Sequence, residues 1–377
     1  MNRRLVPLIL GLLVQAFACG GEDPTTPFTT LTIGTTSLLD GVENVAYSET
    51  LTATGGDRTY TWVITTGALP AGLILAASSG TLTGTPSAVG SSAFTVQAAS
   101  GDGQSATQSY SIAVSAQPIL LPSELCSAYP GHAIAAFEDA NLDTAIRASL
   151  SVDAQVGLTC DLIASLTVLT ADNAGITSLA GSQNLTSLTD LALHVNSITD
   201  ISALSGLTRL TVLVLRNNSI RDISGLSGLT SLTVLSLHEN FSISDIGVLS
   251  DLTGLTRLTL GGNAIADITA LSGLTSLTML SIWDNAITDV SALVALTSLD
   301  YLSLSGNPIV DIGPLGGLTE LETLYLARNL ALFDIGPLLD NTGLGSGDTV
   351  DLTDTNASCA DVTALRAKGV TVTSPCS

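Results

Sequence analysis

Basic residues are scarce in this chain of 377 residues, since 11 lysines and arginines stand against 33 aspartates and glutamates, for a net charge of -22. Nucleic-acid binding draws its affinity from clustered lysines and arginines that neutralise phosphates. A surface this acidic repels a phosphate backbone. The composition therefore predicts no nucleic-acid partner, while 45% hydrophobic content predicts a folded chain.

Long apolar runs are also missing. A membrane-spanning helix needs about 20 apolar residues, and the run from Leu5 to Val14 is shorter than that. Two arginines precede this run, and Ala16 to Ala18 stand directly before Cys19. This order of charge, apolar run and small residues predicts an export signal over residues 1–18.

Two kinds of cleavage fit the end of this signal. Ala16 and Ala18 suit an ordinary signal peptidase. Cys19, followed by Gly-Gly-Glu-Asp, resembles the lipobox and tether of bacterial lipoproteins, although that family usually has Leu at position 16 and a small residue at position 17. The resemblance implies a lipid anchor on Cys19, a flexible tether over 19–27, and a place in the cell envelope, at the outer membrane or cell surface.

Five cysteines are present, and an odd count in an exported protein requires a separate role for one of them. Cys19 fills that role. Cys126 and Cys160 flank the start of the repeats described below, and Cys359 and Cys376 flank their end. Local pairing predicts two disulfides, each worth about 3 kcal/mol in the chain-entropy model. No CxxC spacing supports zinc, and we predict no metal or cofactor.

The first folded domain is predicted at residues 28–116. Short runs such as YTWVI and QSYSIAV alternate in period two between Gly, Pro and Asp turns, which is typical of an antiparallel β-sandwich with Trp62 and Ile64 facing its core. Residues 69–115 resemble the Ig-like, cadherin-related domains of bacterial surface proteins. Calcium-binding relatives carry clustered acidic motifs, whereas the acids here are scattered, so the resemblance implies the fold and no metal.

A linker is predicted at 117–125, followed by a helical cap at 126–165. Phe137, Leu142, Ile146 and Leu150 recur at the three-to-four spacing of an amphipathic helix. Repeat domains need such caps because their terminal coils have an apolar face to cover.

Seven copies of LxxLxLxxN follow at a period of 22 residues, and single-residue insertions after Asn240 and Asn329 predict 23-residue repeats there. Their LxL portions predict stacked strands in a parallel sheet on the concave face, with short helical or 3-10 turns on the convex face. Repeats are predicted at 166–345 and a C-terminal cap at 346–377. The asparagines that mark the copies are Asn196, Asn218, Asn240, Asn263, Asn285, Asn307 and Asn329.

Both polar ladders of the repeat are interpreted as scaffold. Each asparagine stands where the chain leaves the strand, so that its amide can bond backbone groups outside the sheet ladder. The aspartate four or five positions later, as at Asp200 and Asp245, is predicted to cap the next turn. Every repeat has the same turn to stabilise, which explains the regularity without a ligand.

The NxIxDIxxL tail and the helical cap resemble the internalin-type leucine-rich-repeat domains of bacterial surface proteins over about residues 130–345. The resemblance implies an α/β leucine-rich-repeat solenoid after the all-β sandwich. Internalins bind host receptors, but no receptor-contacting motif is matched here, so the identity of a partner does not transfer. We expect a monomer.

Outward strand positions provide the candidate binding surface, because they flank the buried leucines on the concave face. Their aromatic and sulfur side chains predict interface anchors, and their basic side chains predict contact with an acidic partner. The anchors are Met279, Trp283, Tyr301 and Tyr325, and the basic group is His194, Arg216, His238 and Arg257.

Catalytic motifs are absent from the sequence: it has no nucleophile elbow, phosphate loop or HExxH. We therefore predict a protein without enzymatic activity that binds a protein, or alternatively a glycan, on its concave face. An architectural envelope spacer without a ligand is the second hypothesis, and a cryptic hydrolase is the third.

Overall fold

The computed structural model describes residues 28–376, and its contacts divide the chain into two units with the boundary between Gln117 and Pro118. Each unit has a hydrophobic core of its own. The signal peptide predicted at 1–18, the lipidation of Cys19 and the tether predicted at 19–27 lie outside the described residues.

The first unit is a β-sandwich, as predicted. One sheet has the strand order β2-β9-β8-β5, a second has β3-β7-β6, and β1 pairs with β4. The strands are β1 (Thr32–Ile33), β2 (Gly41–Val42), β3 (Tyr47–Thr50), β4 (Ala53–Thr54), β5 (Tyr60–Gly67), β6 (Leu73–Leu75), β7 (Thr81–Gly84), β8 (Gly90–Ser100) and β9 (Ser105–Ser115).

Alternation along the strands builds the core between these sheets. Trp62, Val96 and Ile112 are buried, while their strand neighbours point to the other face. Ile64 is half-buried and packs against the same cluster, so the predicted inward placement of Trp62 and Ile64 is confirmed.

The second unit is a coil whose ten strands form one parallel sheet in sequence order. Each strand is only three residues long, with its central residue facing the core. These strands are β10 (Val168–Thr170), β11 (Asp190–Ala192), β12 (Val212–Val214), β13 (Val234–Ser236), β14 (Arg257–Thr259), β15 (Met279–Ser281), β16 (Tyr301–Ser303), β17 (Thr323–Tyr325), β18 (Thr349–Asp351) and β19 (Thr371–Thr373).

Short helices close each coil on the side away from the sheet, as predicted. They are 3-10 helices at Ser182–Asn184, Ser202–Leu204, Ser224–Leu226, Gly247–Asp251, Thr269–Leu271, Ser291–Leu293 and Gly313–Gly317, and helix α3 below takes the same place in the last repeat. Leucines from the strands, such as Leu213, and from these helices, such as Leu226, are fully buried in one continuous core.

The asparagines fasten each repeat to the one before it. Asn218 Nδ2 donates to the carbonyl oxygens of Leu193 and Leu215, each at 3.0 Å, and its Oδ1 accepts from the N–H of Ile198 at 3.0 Å. Without this amide, the N–H of Ile198 would lose its partner, at about 1–3 kcal/mol, while the carbonyl oxygens of Leu193 and Leu215 would keep the bonds donated by Asn196 and Asn240. The aspartates, in contrast, bond within their own repeat. Asp200 Oδ1 accepts from the N–H of Ser202 at 2.8 Å and so caps a 3-10 helix.

Four α-helices belong to this unit: α1 (Ala140–Leu150), α2 (Cys160–Ile163), α3 (Gly336–Asp340) and α4 (Cys359–Ala367). Helix α1 is the predicted capping helix, and Asp139 accepts from two N–H groups of its first turn. The two predicted disulfides, Cys126–Cys160 and Cys359–Cys376, are both present. No helix in residues 28–376 combines the length and apolar character that crossing a bilayer demands.

The C-terminal boundary differs from the prediction. The parallel sheet runs on through β18 and β19, so the stretch predicted as a cap at 346–377 contains two further strands and α4. The repeat after Asn329 is longer than the predicted 23 residues, because Thr323 pairs with Thr349, 26 positions later. Lys368, the only lysine in the sequence, donates to the carbonyl oxygens of Leu338 and Leu339 at the end of α3 and so holds this enlarged repeat.

The stretch predicted as a linker at 117–125 is folded onto the N-terminal cap. Leu120 is buried, and its N–H donates to the carbonyl oxygen of Ile134 at 2.8 Å. Asn184 Oδ1 accepts from the N–H of Cys126 at 2.7 Å and extends the same packing. Leu120 therefore packs against buried residues of the cap, and the stretch from Pro118 belongs to the second unit instead of joining two bodies.

Candidate binding surface

The outer face of the ten-stranded sheet carries the predicted anchors on three consecutive strands. Met279 is in register with Tyr301, and Ser303 with Tyr325, so the two tyrosines are diagonal neighbours on β16 and β17. Met279, Trp283, Tyr301 and Tyr325 are all half-buried, which leaves part of each side chain open to solvent. This is a surface of large, partly fixed side chains.

Tyr301 and Tyr325 form a ring pair. Their centroids are 5.7 Å apart and their planes are tilted by 53°, within the range where aromatic pairs attract each other. Burial raises the pKa of Tyr301, and the neighbouring Tyr325 adds to the shift. Tyr301 therefore stays neutral at neutral pH, and the ring contact restricts both side chains.

Trp283 does not join this pair but turns toward the preceding repeat. A Cβ atom on Gly261 would lie 2.3 Å from the indole Nε1 and 2.4 Å from Cε2, so the ring rests directly on the backbone of Gly261. Only a glycine leaves this space. The predicted four-residue anchor group is thus a Met279–Tyr301–Tyr325 cluster beside an indole that covers the neighbouring coil.

The predicted basic group is divided as well. His194 Nδ1 lies 2.6 Å from Asp172 Oδ1, and its backbone N–H donates to the same oxygen at 3.0 Å. Sequence reasoning missed Asp172 because Ala174 takes the asparagine position in that coil, which hides it from the repeat pattern. The His194 ring is therefore engaged by a residue of its own unit.

The other three basic residues, Arg216, His238 and Arg257, line one depression of about 320 Å³ on the sheet face. His238 Nδ1 lies 3.1 Å from the hydroxyl oxygens of both Ser236 and Thr259. Desolvation lowers the pKa of His238, and the positive charge of Arg216 lowers it further, while Glu239 opposes the shift. At neutral pH the two arginines therefore carry the charge of this depression.

Two other depressions differ in character. One, of about 440 Å³, lies at the N-terminal ends of strands β14 to β16. It is lined by Arg257, Met279 and Tyr301 and also by Asp300 and Glu322. The other, about 470 Å³, lies at the turns after the asparagines and is lined by Arg221 and the capping Asp222 and Asp245 among others. We regard the latter as a product of the scaffold, because its carboxylates already cap helices.

The surface combines apolar, hydroxyl and cationic groups. In residues 28–376 no group of three or more His, Cys, Asp or Glu side chains has the arrangement of a metal site. The surface offers aromatic rings, a thioether, hydroxyl groups and two arginines, and the hydroxyl oxygens of Ser236 and Thr259 lie against His238 Nδ1.

Comparison with known proteins agrees with this architecture. The family model described as "Putative Ig domain" matches residues 27–115. Leucine-rich-repeat models match residues 208–253 and 297–338 in one case and 266–309 in another. No curated protein sequence matches the chain.

Solved structures similar to this chain include two from Listeria monocytogenes strain 4b F2365. An internalin is 33% identical, covers 63% of this chain and 76% of its own, and superimposes with a TM-score of 0.53. Internalin C2 is 30% identical, with 63% and 93% covered and a TM-score of 0.48.

Proposed function

The chain belongs to the internalin family of leucine-rich-repeat proteins, and on that premise we propose that it is an exported, non-enzymatic binding protein that holds a protein partner on the outer face of its parallel sheet. The anchors of this contact are Met279, Tyr301 and Tyr325, with Trp283 beside them. The basic side chains Arg216, His238 and Arg257 complete the surface.

One observation carries the proposal: the tyrosine pair on β16 and β17 is half-buried and preordered. Interface hot spots are enriched in tyrosine and tryptophan whose rotamers are already restricted, since less conformational entropy is lost on binding. Tyr301 and Tyr325 restrict each other at 5.7 Å, and Met279 adjoins Tyr301 in register. Truncation of such an anchor weakens binding by about 2 kcal/mol or more.

A glycan partner is the competing hypothesis, because exposed aromatic faces also stack on sugar rings. Two features favour a protein. The two rings are tilted by 53° and do not form one flat platform, and the adjoining depression combines arginines with the apolar side chains Val214 and Val234. Mixed apolar and charged surface of this kind is typical of protein interfaces.

Anchoring in the envelope is the second part of the proposal. Two disulfides indicate an oxidising compartment, and we propose that a lipid on Cys19 holds the protein there. Metabolic labelling with palmitate tests this: the wild type is expected to be labelled and to remain with membranes, and Cys19→Ala to lose both properties. An unlabelled wild type that is free in the medium would contradict it.

The binding proposal is tested with the full chain and arrays of purified extracellular proteins and of glycans. Tyr301→Ser with Tyr325→Ser is expected to lose about thirtyfold or more in affinity for any protein hit, from the loss of roughly 2 kcal/mol of anchor contact. The matched control is Val212→Ser with Ala192→Ser, which changes half-buried residues in the same two columns on β12 and β11.

Three outcomes would contradict the proposal. Equal binding by the wild type and the tyrosine variant would remove this cluster from the site. Hits on the glycan array alone would favour the competing ligand class. An absence of hits on both arrays would favour the architectural spacer.

A further inference from the structure

The depression between β12 and β15 has an unusual charge for this protein. The chain carries 33 acidic residues against 11 basic ones, yet this depression is lined by Arg216, His238 and Arg257 and by no carboxylate. A local excess of positive charge in so acidic a chain indicates a place where an anionic group is accepted.

The two arginines have no hydrogen bond or ion pair from their side chains within residues 28–376. Other cations of the chain do have partners: Arg147 lies 2.6 Å from Asp143, Arg328 lies 2.6 Å from Asp284, and Lys368 binds carbonyl oxygens. Exposed arginines elsewhere are also unpaired, among them Arg209 and Arg221. What sets Arg216 and Arg257 apart is that they line the same depression.

The spacing of the arginines defines the ligand further. Arg216 follows β12 and Arg257 begins β14, so their strands are two sheet spacings apart, about 10 Å. Val234, on β13, lies between these two strands, and Met279, on β15, lies on the far side of Arg257; both line the depression and are half-buried. A ligand that contacts both arginines therefore also covers apolar side chains.

His238 stands in the middle of this space with a fixed ring. Its Nδ1 is held by the hydroxyl groups of Ser236 and Thr259, at 3.1 Å each. The opposite ring nitrogen is left for a polar group of a ligand. The depression thus presents two cations at its ends and one polar group between them.

We propose that this depression is a carboxylate-binding subsite that accepts an acidic peptide segment in which aspartate or glutamate alternates with apolar residues. The proposal deepens the proposed function and rests on it, since it names the chemistry of the protein partner. Arginine pairs with carboxylates through two parallel N–H groups, and the apolar residues of the segment cover Val234 and Met279.

An anionic polysaccharide fits less well. Such chains need a continuous row of cations, whereas here the two arginines are separated by apolar surface. The neighbouring depression contains Asp300 and Glu322, which would repel a long polyanion that continued past Met279. A short acidic segment ends before it meets them.

The test uses the full chain and a blocked octapeptide of alternating glutamate and leucine, followed by fluorescence anisotropy. Each of Arg216→Gln and Arg257→Gln is expected to weaken binding about tenfold, the effect of removing one partner of a charge pair at an interface. The matched control is Arg209→Gln with Arg221→Gln, which removes the same charge from exposed, unpaired positions elsewhere and is expected to bind as the wild type does.

Further measurements keep the proposal falsifiable. A glutamine–leucine octapeptide is expected not to bind, and Arg216→Lys with Arg257→Lys is expected to recover part of the affinity. Equal binding of the two peptides, or wild-type affinity in both Arg216→Gln and Arg257→Gln, would overturn the subsite. Binding of a heparin oligosaccharide in place of the peptide would overturn it in favour of a polysaccharide.

The two proposals fail differently. If Tyr301→Ser with Tyr325→Ser weakens a protein hit while the arginine variants do not, the proposed function stands and the carboxylate subsite is wrong. If neither set of variants weakens the hit, both the tyrosine cluster and the carboxylate subsite are excluded as its binding site.

Discussion

Arg328 reaches back across one whole repeat to Asp284: its Nη2 lies 2.6 Å from Asp284 Oδ1, 44 residues away in sequence. Both residues and the intervening Gly306 occupy the position before the repeat asparagine, where the backbone is left-handed, with φ of 47°, 68° and 61° along the chain. A Cβ atom on Gly306 would lie 1.8 Å from Asp284 Oδ1 and 3.1 Å from Arg328 Nη2. The glycine is therefore what allows the pair to form.

Gly306→Ala is expected to destabilise the coil by about 1–2 kcal/mol, because it strains the left-handed backbone and displaces Asp284. Asp284→Asn is expected to cost less than about 1 kcal/mol, since the pair is exposed to solvent. Urea unfolding followed by Trp283 fluorescence in a Trp62→Phe background reports this unit, because the only other tryptophan is in the sandwich. Equal losses for Gly306→Ala and Gly206→Ala, where a Cβ has free space, would contradict the argument.

Val195 occupies the same left-handed position in an earlier repeat, with φ of 57°. A β-branched side chain is unfavourable there, whereas asparagine tolerates it. Val195→Asn is therefore expected to stabilise the coil by about 1 kcal/mol. Asn217 is the matched site, with φ of 55° and an exposed side chain.

The reverse change, Asn217→Val, is expected to destabilise by a similar amount. Opposite signs for the two variants, measured as shifts in the urea midpoint, would establish backbone strain as the cause. Destabilisation by both variants would instead show that Val195 contributes more by packing than it loses by strain.

The repeat pattern predicted the scaffold because each of its features recurs in every coil. The burial of leucines such as Leu213, the asparagine bonds and the aspartate caps all follow from local spacing, so a period of 22 residues fixes them together. The disulfides were predictable for a similar reason, since each closes a local loop at one end of the coil. The outward columns followed from the alternation of short strands.

Side-chain directions and irregular coils were not predictable in this way. Trp283 rests on Gly261 because the neighbouring coil lacks a side chain there, and a column of outward positions does not show which way a ring turns. Asp172 was hidden because its coil lacks the marker asparagine, so its contact with His194 could not be predicted. Residues 117–125 look like a linker until the apolar surface they cover is known.

The insertion after Asn240 removes one hydrogen bond from the column of repeat asparagines. Asn263 Nδ2 donates to Leu237 and Leu260, but its buried Oδ1 has no donor among the described residues. In the regular repeat that follows, Asn285 Oδ1 accepts from the N–H of Ile265 at 3.0 Å. The extra residue, near the exposed and left-handed Phe241, shifts the corresponding N–H out of reach.

Alanine substitution of these two asparagines is therefore expected to have unequal effects. Asn285→Ala leaves the N–H of Ile265 without a partner, and Asn263→Ala leaves no such N–H group. The cost for Asn285→Ala should exceed that for Asn263→Ala by about 1–3 kcal/mol. Deletion of Phe241 should remove the difference by restoring a 22-residue repeat, and equal costs in the parent chain would show that Oδ1 of Asn263 is satisfied in solution.

His238 makes the stability of the coil depend on pH in a defined direction. Desolvation lowers its pKa in the folded state, so folding favours the neutral ring relative to an unfolded value near 6.5. The stabilisation is fully present above that value and is lost as the pH falls below it. His238→Gln, which retains a polar side chain, has no such titration.

The difference in unfolding free energy between the wild type and His238→Gln is therefore expected to shrink between pH 7.5 and pH 5. Urea midpoints at the two pH values measure it, and the double difference cancels the titration of the many aspartates. Proton NMR gives an independent reading, because only three histidines are present and the variant identifies the resonance. A difference that grows toward acid pH would mean that Glu239, which raises the pKa, outweighs burial and Arg216 at this ring.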